Sequence, residues 1–267
     1  MSNLIACRLA SYGAYQDRAW THLPEIGILH MELPVPAPTE RETIRRRLKE
    51  HGLQASSLQG TCDITQPDAP GIMQPQLEAC RELGAGICFL SVKAKDTDRS
   101  VVWDRLRQIG DAAQALGVTV ALETHPDLVT NGDEAVATME AVNHPNIRIN
   151  FDTANVYFYN QNVTAVGELR KTLAFVAAVH LKDTTGGYQD WNFPALGTGV
   201  VEFPEVFGLL NYRGFHGPFT MELEGTKGVE RNEAQQLAYI GDSVAYLRRI
   251  GAFGLADQSG GTRPMAP

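Results

Sequence analysis

Short apolar runs recur along the chain, separated by longer stretches of helical periodicity. The runs cover residues 4–9, 28–33, 54–58, 87–92, 118–123, 147–152, 176–181 and 219–223. Each has the length and composition of a buried strand. Between them, residues 98–116 place Val102, Leu106, Ile109, Ala113 and Leu116 at spacings of 4, 3, 4 and 3, which is one face of an α-helix. Thr97 or Asp98 can cap its start, and Gly117 stands where a left-handed residue ends a helix. A last helix over about 230–250 repeats the pattern with Leu237, Ile240, Val244 and Leu247. Eight strands interleaved with seven or eight helices predict an α/β protein, a single (β/α)8 barrel. An open doubly wound sheet would carry a glycine-rich phosphate loop after its first strand, and Ala10-Ser11-Tyr12-Gly13 is not one. No domain break appears, so the barrel is expected over 1–253. The polar Gly/Pro-rich tail, 254–267, is expected to be loose or to touch another subunit.

Alternation within the later strands separates their two faces. Val118, Val120 and Leu122 oppose Thr119, Ala121 and Glu123; Ile147, Ile149 and Phe151 oppose Asn150 and Asp152. Val179 and Leu181 oppose Ala178 and His180, and Phe219 and Met221 oppose Thr220 and Glu222. Each strand thus has a bulky face for the helix ring and a small or polar face that ends in an ionisable residue. In a barrel the C-terminal strand ends meet at one mouth, where active sites are built. Three carboxylates and an imidazole meeting there repel unless a cation lies between them. An oxygen-rich set with one nitrogen suits Mn2+, Mg2+ or Co2+ better than structural zinc. Taken singly, each residue has a plainer role as a loop cap, a solvated carboxylate or a core histidine. Together Glu123, Asp152, His180 and Glu222 predict a site for one divalent ion, Mn2+ foremost.

Charge narrows the function further. The 267 residues hold 23 Lys and Arg against 31 Asp and Glu, a formal net charge of −8, which disfavours phosphate-backbone binding and hence a nucleic-acid partner. No apolar run reaches the ~18 residues of a membrane span. The first run is broken by Arg8 and lacks the charged and apolar regions of a secretory signal. Cys7, Cys62, Cys80 and Cys88 form no C-x-x-C pair and read as reduced, packed thiols, as in a cytoplasmic protein.

Five motifs carry a family resemblance: ALETHP (121–126), INFDTAN (149–155), VHLKD (179–183), PALGTGVVEF (194–203) and GPFTMELEG (217–225). Through them the chain resembles the xylose isomerase-like TIM barrels. These include ketose 3-epimerases, inosose isomerases and dehydratases, hydroxypyruvate isomerases and endonuclease IV. The resemblance covers most of the chain and is strongest over 118–225. In the ketose epimerases one divalent ion is held by Glu, Asp, His and Glu from the last four strands, which implies Glu123, Asp152, His180 and Glu222 as ligands here. Many members carry a histidine three residues after the strand-six aspartate, where this chain has Asn155. Endonuclease IV resembles a histidine-rich three-metal site that needs that residue, and this departure, with the acidic charge, sets DNA repair aside. It also removes a substrate contact, so the substrate does not carry over from the epimerases.

The chemistry expected is proton transfer beside a carbonyl, with the ion polarising the carbonyl and acidifying the neighbouring C–H. Glu123 and Glu222 lie three strands apart in the ring and can flank a substrate from opposite sides. Proton return to the other face epimerises, return to the next carbon isomerises, and loss of a β-hydroxyl from the enediolate dehydrates. The reading is a sugar isomerase or epimerase acting on a keto-sugar or polyol. Its rivals are a lyase of inosose, dehydroshikimate or 3-keto-glycoside type and a barrel that only binds; a homo-oligomer stays open. His125 either serves a substrate oxygen or proton transfer, or caps the turn at Pro126. Lys182 points toward the mouth to steady the enediolate oxygen or a hydroxyl, and Asp183 is expected to orient His180 or Lys182. Glu32 either meets sugar hydroxyls or catalytic partners or, the preferred reading, is an ordinary strand-end carboxylate, and Lys93 is read in the same way. Tyr157, Phe158, Tyr159, Tyr188, Trp191 and Phe193 offer faces to a sugar or pack the loops. The glycine-rich stretch 182–201 reads as a lid, with Gly197-Thr198-Gly199 a weak phosphate-loop signal.

Overall fold

The eight apolar runs become eight parallel strands closed into a ring in a computed structural model that describes residues 2–254. β1 (Ile5–Arg8) passes through a 3-10 stretch, Leu9–Arg18, into α1 (Ala19–Glu25). There follow β2 (His30–Pro34), α2 (Arg41–Glu50), β3 (Gln54–Gln59), α3 (Ala69–Leu83), β4 (Ile87–Leu90) and α4 (Arg99–Ala115). Next come β5 (Thr119–Glu123), α5 (Gly132–Val142), β6 (Ile147–Asp152), α6 (Asn155–Tyr159), α7 (Ala165–Thr172) and β7 (Val176–Leu181). A two-residue β8 (Asn192–Phe193), α8 (Phe203–Tyr212), β9 (Phe219–Met221), β10 (Gly225–Thr226) and α9 (Glu233–Arg249) complete the described order. β9 is the eighth strand of the ring and closes it against β1, pairing Ile5 with Phe219 and Cys7 with Met221. β8 and β10 form a separate antiparallel pair above the mouth. No described helix is long and apolar enough to cross a membrane.

The expected alternation holds around the ring. Val120, Leu122, Ile149, Phe151, Val179, Leu181, Phe219 and Met221 are buried in the layer between strands and helices. A second, small cluster of Ile87, Phe89, Ala121 and Ala178 fills the barrel interior. Small residues there leave room above for polar side chains at the C-terminal strand ends. α4 begins with the Asp98 carboxylate accepting the Ser100 N–H, the aspartate of the two expected caps, and Gly117 follows it at φ +69°.

Some boundaries differ from expectation. α9 starts at Glu233 because Asn232 closes a capping box: its side chain accepts the Gln235 N–H, and the Gln235 side chain accepts the Asn232 N–H. That reciprocal pair satisfies two otherwise orphaned donors and fixes the first turn. The four cysteines are free thiols, with Cys7, Cys80 and Cys88 buried. The expected tail lies outside the described residues beyond Gly254.

Candidate metal centre and active site

Each ring strand delivers one polar inward side chain near its C-terminal end. Glu123 ends β5, Asp152 ends β6, and His180 is the penultimate residue of β7. Glu222 follows β9, and its N–H still donates to the Leu181 carbonyl at 3.0 Å, which continues the ladder and fixes its direction. The donor atoms of these four lie within 4.8 Å of one another, and all four residues are buried. Octahedral ligands at ~2.1 Å stand ~4.2 Å apart across an ion, so a small contraction would close the set. The buried Asp152 Oδ2 accepts no well-directed hydrogen bond, the Lys182 ammonium lying off axis at 3.0 Å, which leaves a lone pair for a metal ion. The cluster can therefore hold a metal ion.

His180 is oriented for that task. Its Nδ1 lies 3.1 Å from Glu123 Oε1 and 3.4 Å from Glu222 Oε2, while Nε2 lies 3.1 Å from Glu32 Oε1. A carboxylate behind one ring nitrogen fixes the tautomer and turns the other nitrogen toward the metal position. Glu32, itself bonded by the Ser57 hydroxyl at 2.7 Å, fills this role. The expectation that Glu32 is an ordinary strand-end charge is corrected, as is the idea that Asp183 orients His180. Burial alone would lower the His180 pKa, but Glu32 and Glu123 outweigh it and raise it to about 9. Burial would raise the Glu123 carboxyl, yet His180, Lys182 and the Ser91 hydroxyl hold it down at about 2. Burial pushes the Asp152 carboxyl up, against the pull of Lys182 and His180.

Lys182 is buried in the same cage. Its ammonium lies 3.0 Å from Asp152 Oδ2, 2.6 Å from Glu222 Oε2 and 2.9 Å from Glu224 Oε2. Burial opposes its charge, but Asp152, Glu224 and Glu123 outweigh it, raise its pKa and keep it protonated. His125 lines the same cavity with its ring 4.8 Å from that of Tyr159, and its Nδ1 lies 3.1 Å from the Pro126 carbonyl. Both readings of His125 thus describe part of its setting. Asn155 also lines the cavity and is locked by its side-chain amide donating to the Thr124 carbonyl.

Several participants escaped the sequence reading. Arg8 entered it only as a break in an apolar run. Here it pairs with Glu222, donates to Gln59 Oε1 at 2.7 Å and lies 5.4 Å from the Phe89 ring centre. Ser91 bonds Glu123, and Glu224 receives Lys182. The signal was available: the alternation that exposed Glu123 and Glu222 on the last strands marks Arg8, Glu32 and Gln59 on the first three.

The mouth holds a cavity of about 220 Å³, on the scale of one sugar unit, with Glu123 and Glu222 in its wall. Phe158, Trp191 and Phe193 stack edge to face along one side, while Tyr157 turns away to accept the Ala165 N–H. Lys93 is exposed and does not line the cavity. The glycine-rich stretch is pinned as a wall. Asp183 accepts the N–H groups of Thr184, Gly197, Gly199 and Val201 at 2.8–3.2 Å, and the Tyr239 hydroxyl holds the Phe193 carbonyl.

Comparison with known proteins agrees with this geometry. The model of the family described as "Xylose isomerase-like TIM barrel" matches residues 21–250, a span that contains every candidate ligand but not Arg8. A ketose 3-epimerase of Arthrobacter globiformis is 26% identical over 222 residues, 74% of each chain. The L-ribulose-5-phosphate 3-epimerase UlaE of Salmonella paratyphi C is 28% identical over 169 residues, 60% of this chain and 58% of that one. The chain thus spans little more than half of that relative's length. A xylose isomerase domain protein from Planctomyces limnophilus shares the fold, with a TM-score of 0.76 at 20% identity over 94% of this chain and 98% of that one. With a closed ring, a polar mouth and a family match over most of its length, the chain belongs to the xylose isomerase-like TIM barrel family.

Proposed function

We propose that the protein is a divalent-metal-dependent ketose epimerase, an enzyme that moves a proton at the carbon beside a sugar carbonyl. One observation carries this reading: Glu123 and Glu222 face one cavity from opposite arcs of the ring, with His180 Nδ1 between them at 3.1 and 3.4 Å. Glu123, Asp152, His180 and Glu222 would hold the ion, Mn2+ by preference, which when bound would polarise the carbonyl and acidify its neighbouring C–H. Glu123 stands ionised at neutral pH and can take a proton from one face of the substrate. Glu222, across the cavity, takes a proton from solvent and delivers it to the opposite face, which inverts the carbon, while Glu123 gives up its own proton to solvent. The Lys182 ammonium, within 2.6 Å of Glu222, is placed to donate to an oxygen that gains negative charge. Phe158, Trp191 and Phe193 offer apolar faces to the sugar's C–H groups. His125 is available at the rim for a substrate hydroxyl. The names of the two relatives, both epimerases, support inversion over elimination.

The test is deuterium incorporation in D₂O, followed by NMR over a panel of free ketoses with Mn2+ added or chelated. Metal-dependent exchange beside the carbonyl, with formation of the epimer, is expected. Glu222→Gln should keep the fold and lose at least about 100-fold in exchange, the scale of a missing proton-transfer group. Undiminished exchange in that variant sinks the two-glutamate mechanism, and a new enone absorbance in place of an epimer makes the enzyme a lyase.

A further inference from the structure

The cavity continues beyond the candidate metal centre. Past Glu222, Glu224 and Trp191 it opens into a second chamber of about 240 Å³. That chamber adjoins, at Ser11 and Glu224, a third of about 380 Å³ that reaches Tyr15 and Arg231. A sugar held between Glu123 and Glu222 has space for its far end along this path, and the charge there decides which sugars fit.

We infer that this cleft takes an uncharged sugar and rejects its phosphate ester. The inference rests on the ketose reading above and names its substrate class. Five carboxylates, Glu32, Glu123, Asp152, Glu222 and Glu224, surround two basic side chains, Arg8 and Lys182. Both cations are already engaged: Arg8 by Glu222 and Gln59, with Glu32 3.7 Å away, and Lys182 by Asp152, Glu222 and Glu224. A divalent ion with a neutral His180 leaves this group one negative charge in excess. A phosphate ester brings about −1.5 to −2 more and needs unengaged donors to receive it.

The loop that would supply such donors has taken an internal anion. Backbone N–H groups in a glycine-rich turn make a phosphate nest only while they are free. Here the Gly197 and Gly199 N–H groups both point to Asp183 Oδ2, at 2.8 and 2.9 Å. The fit is so close that a Cβ on Gly199 would collide with the Asp183 carboxylate. The chain's own carboxylate occupies the nest. In the third chamber Arg231 lies 4.1 Å from the Tyr239 ring centre, with Glu224 and Glu230 in the same wall. Among the described residues it is the one cation along the path without a carboxylate ion pair, and so the position from which the inference can be overturned.

The experiment compares matched pairs, L-ribulose with L-ribulose 5-phosphate and D-fructose with D-fructose 6-phosphate, on the Mn2+-loaded protein. Exchange in D₂O gives kcat/KM, and quenching of Trp191 fluorescence, with Trp191→Phe as control, gives binding independently of turnover. At least one free ketose should exceed its phosphate by about 30-fold or more in kcat/KM. A phosphate ester that exchanges as well as its free sugar overturns the inference while the epimerase reading stands. Loss of that ester's activity in Arg231→Met would then put the anion subsite at Arg231. Tighter binding of the free sugar without exchange supports the charge selectivity and removes the epimerase reading. Silence from all four compounds in both readouts overturns both.

Discussion

Replacing Lys182 with Met removes the ammonium from a cage of three carboxylates at 2.6–3.0 Å while keeping most of the side chain's length. In metal-free protein the buried Asp152 and Glu222, with the exposed Glu224 beside them, then have only Arg8 and His180 to balance them. Breaking a buried charge pair from one side costs about 3–5 kcal/mol, because the remaining charge stays desolvated. For a chain of this size each kcal/mol moves Tm by about 2–4 °C, so the metal-free variant should melt ~6–20 °C below the wild type. Mn2+ should narrow the gap. Lys182 engages two of the three carboxyl groups that would hold the ion, so in the variant the ion meets them without a resident competitor. A tenfold tighter Kd would return about 1.4 kcal/mol more to the variant than to the wild type at saturating metal. The assay is thermal unfolding of both proteins in chelator and in a Mn2+ series. An unchanged melting temperature in chelator, or a gap that saturating Mn2+ leaves as wide as before, refutes the electrostatic account of the cage.

Other expectations separate the centre from the scaffold. His180 must lose its proton to bind a metal, and in the metal-free protein it holds that proton up to about pH 9. Its raised pKa stabilises metal-free protein below about pH 6.5, and that contribution fades as pH rises through about 9. Mn2+ affinity should accordingly climb by about tenfold per pH unit between 7 and 8.5 with release of one proton, and titration calorimetry in buffers of different ionisation enthalpy would expose a flat profile. Phe151→Ala should cost about 3–5 kcal/mol by core truncation, equally with and without Mn2+, since this buried ring faces the helix layer. Asp183→Ala deprives four backbone N–H groups of their acceptor. Limited proteolysis should then cut within 184–201 at least about tenfold faster, and an unchanged cleavage rate would show that the carboxylate does not hold this wall.

Much of the architecture was legible along the chain because it follows from a local rule. Apolar runs of strand length alternate with stretches of period 3.6, and within each strand alternate residues point to opposite faces. That rule placed Glu123, Asp152, His180 and Glu222 on one face of consecutive strands, and closure of the ring brings their donor atoms within 4.8 Å. Helix ends were less legible. Asn232 and Gln235 form a reciprocal cap that is one of several compatible starts until the chain commits to it.

What the tertiary structure alone decided is which charges meet across the ring. Arg8 is 214 positions from Glu222 in sequence, yet β1 and β9 are hydrogen-bonded neighbours. Glu32 looked like any strand-end carboxylate, and only the ring sets it 3.1 Å behind His180. The partner of Asp183 was equally hidden, since a G-x-G turn has the same sequence whether its N–H groups await a phosphate or already hold a carboxylate. Sequence periodicity determines the face on which a side chain lies, because that is a property of the local backbone. The pairing of buried charges depends on distances closed by the whole barrel, and electrostatic energy in a dry interior is set by those distances.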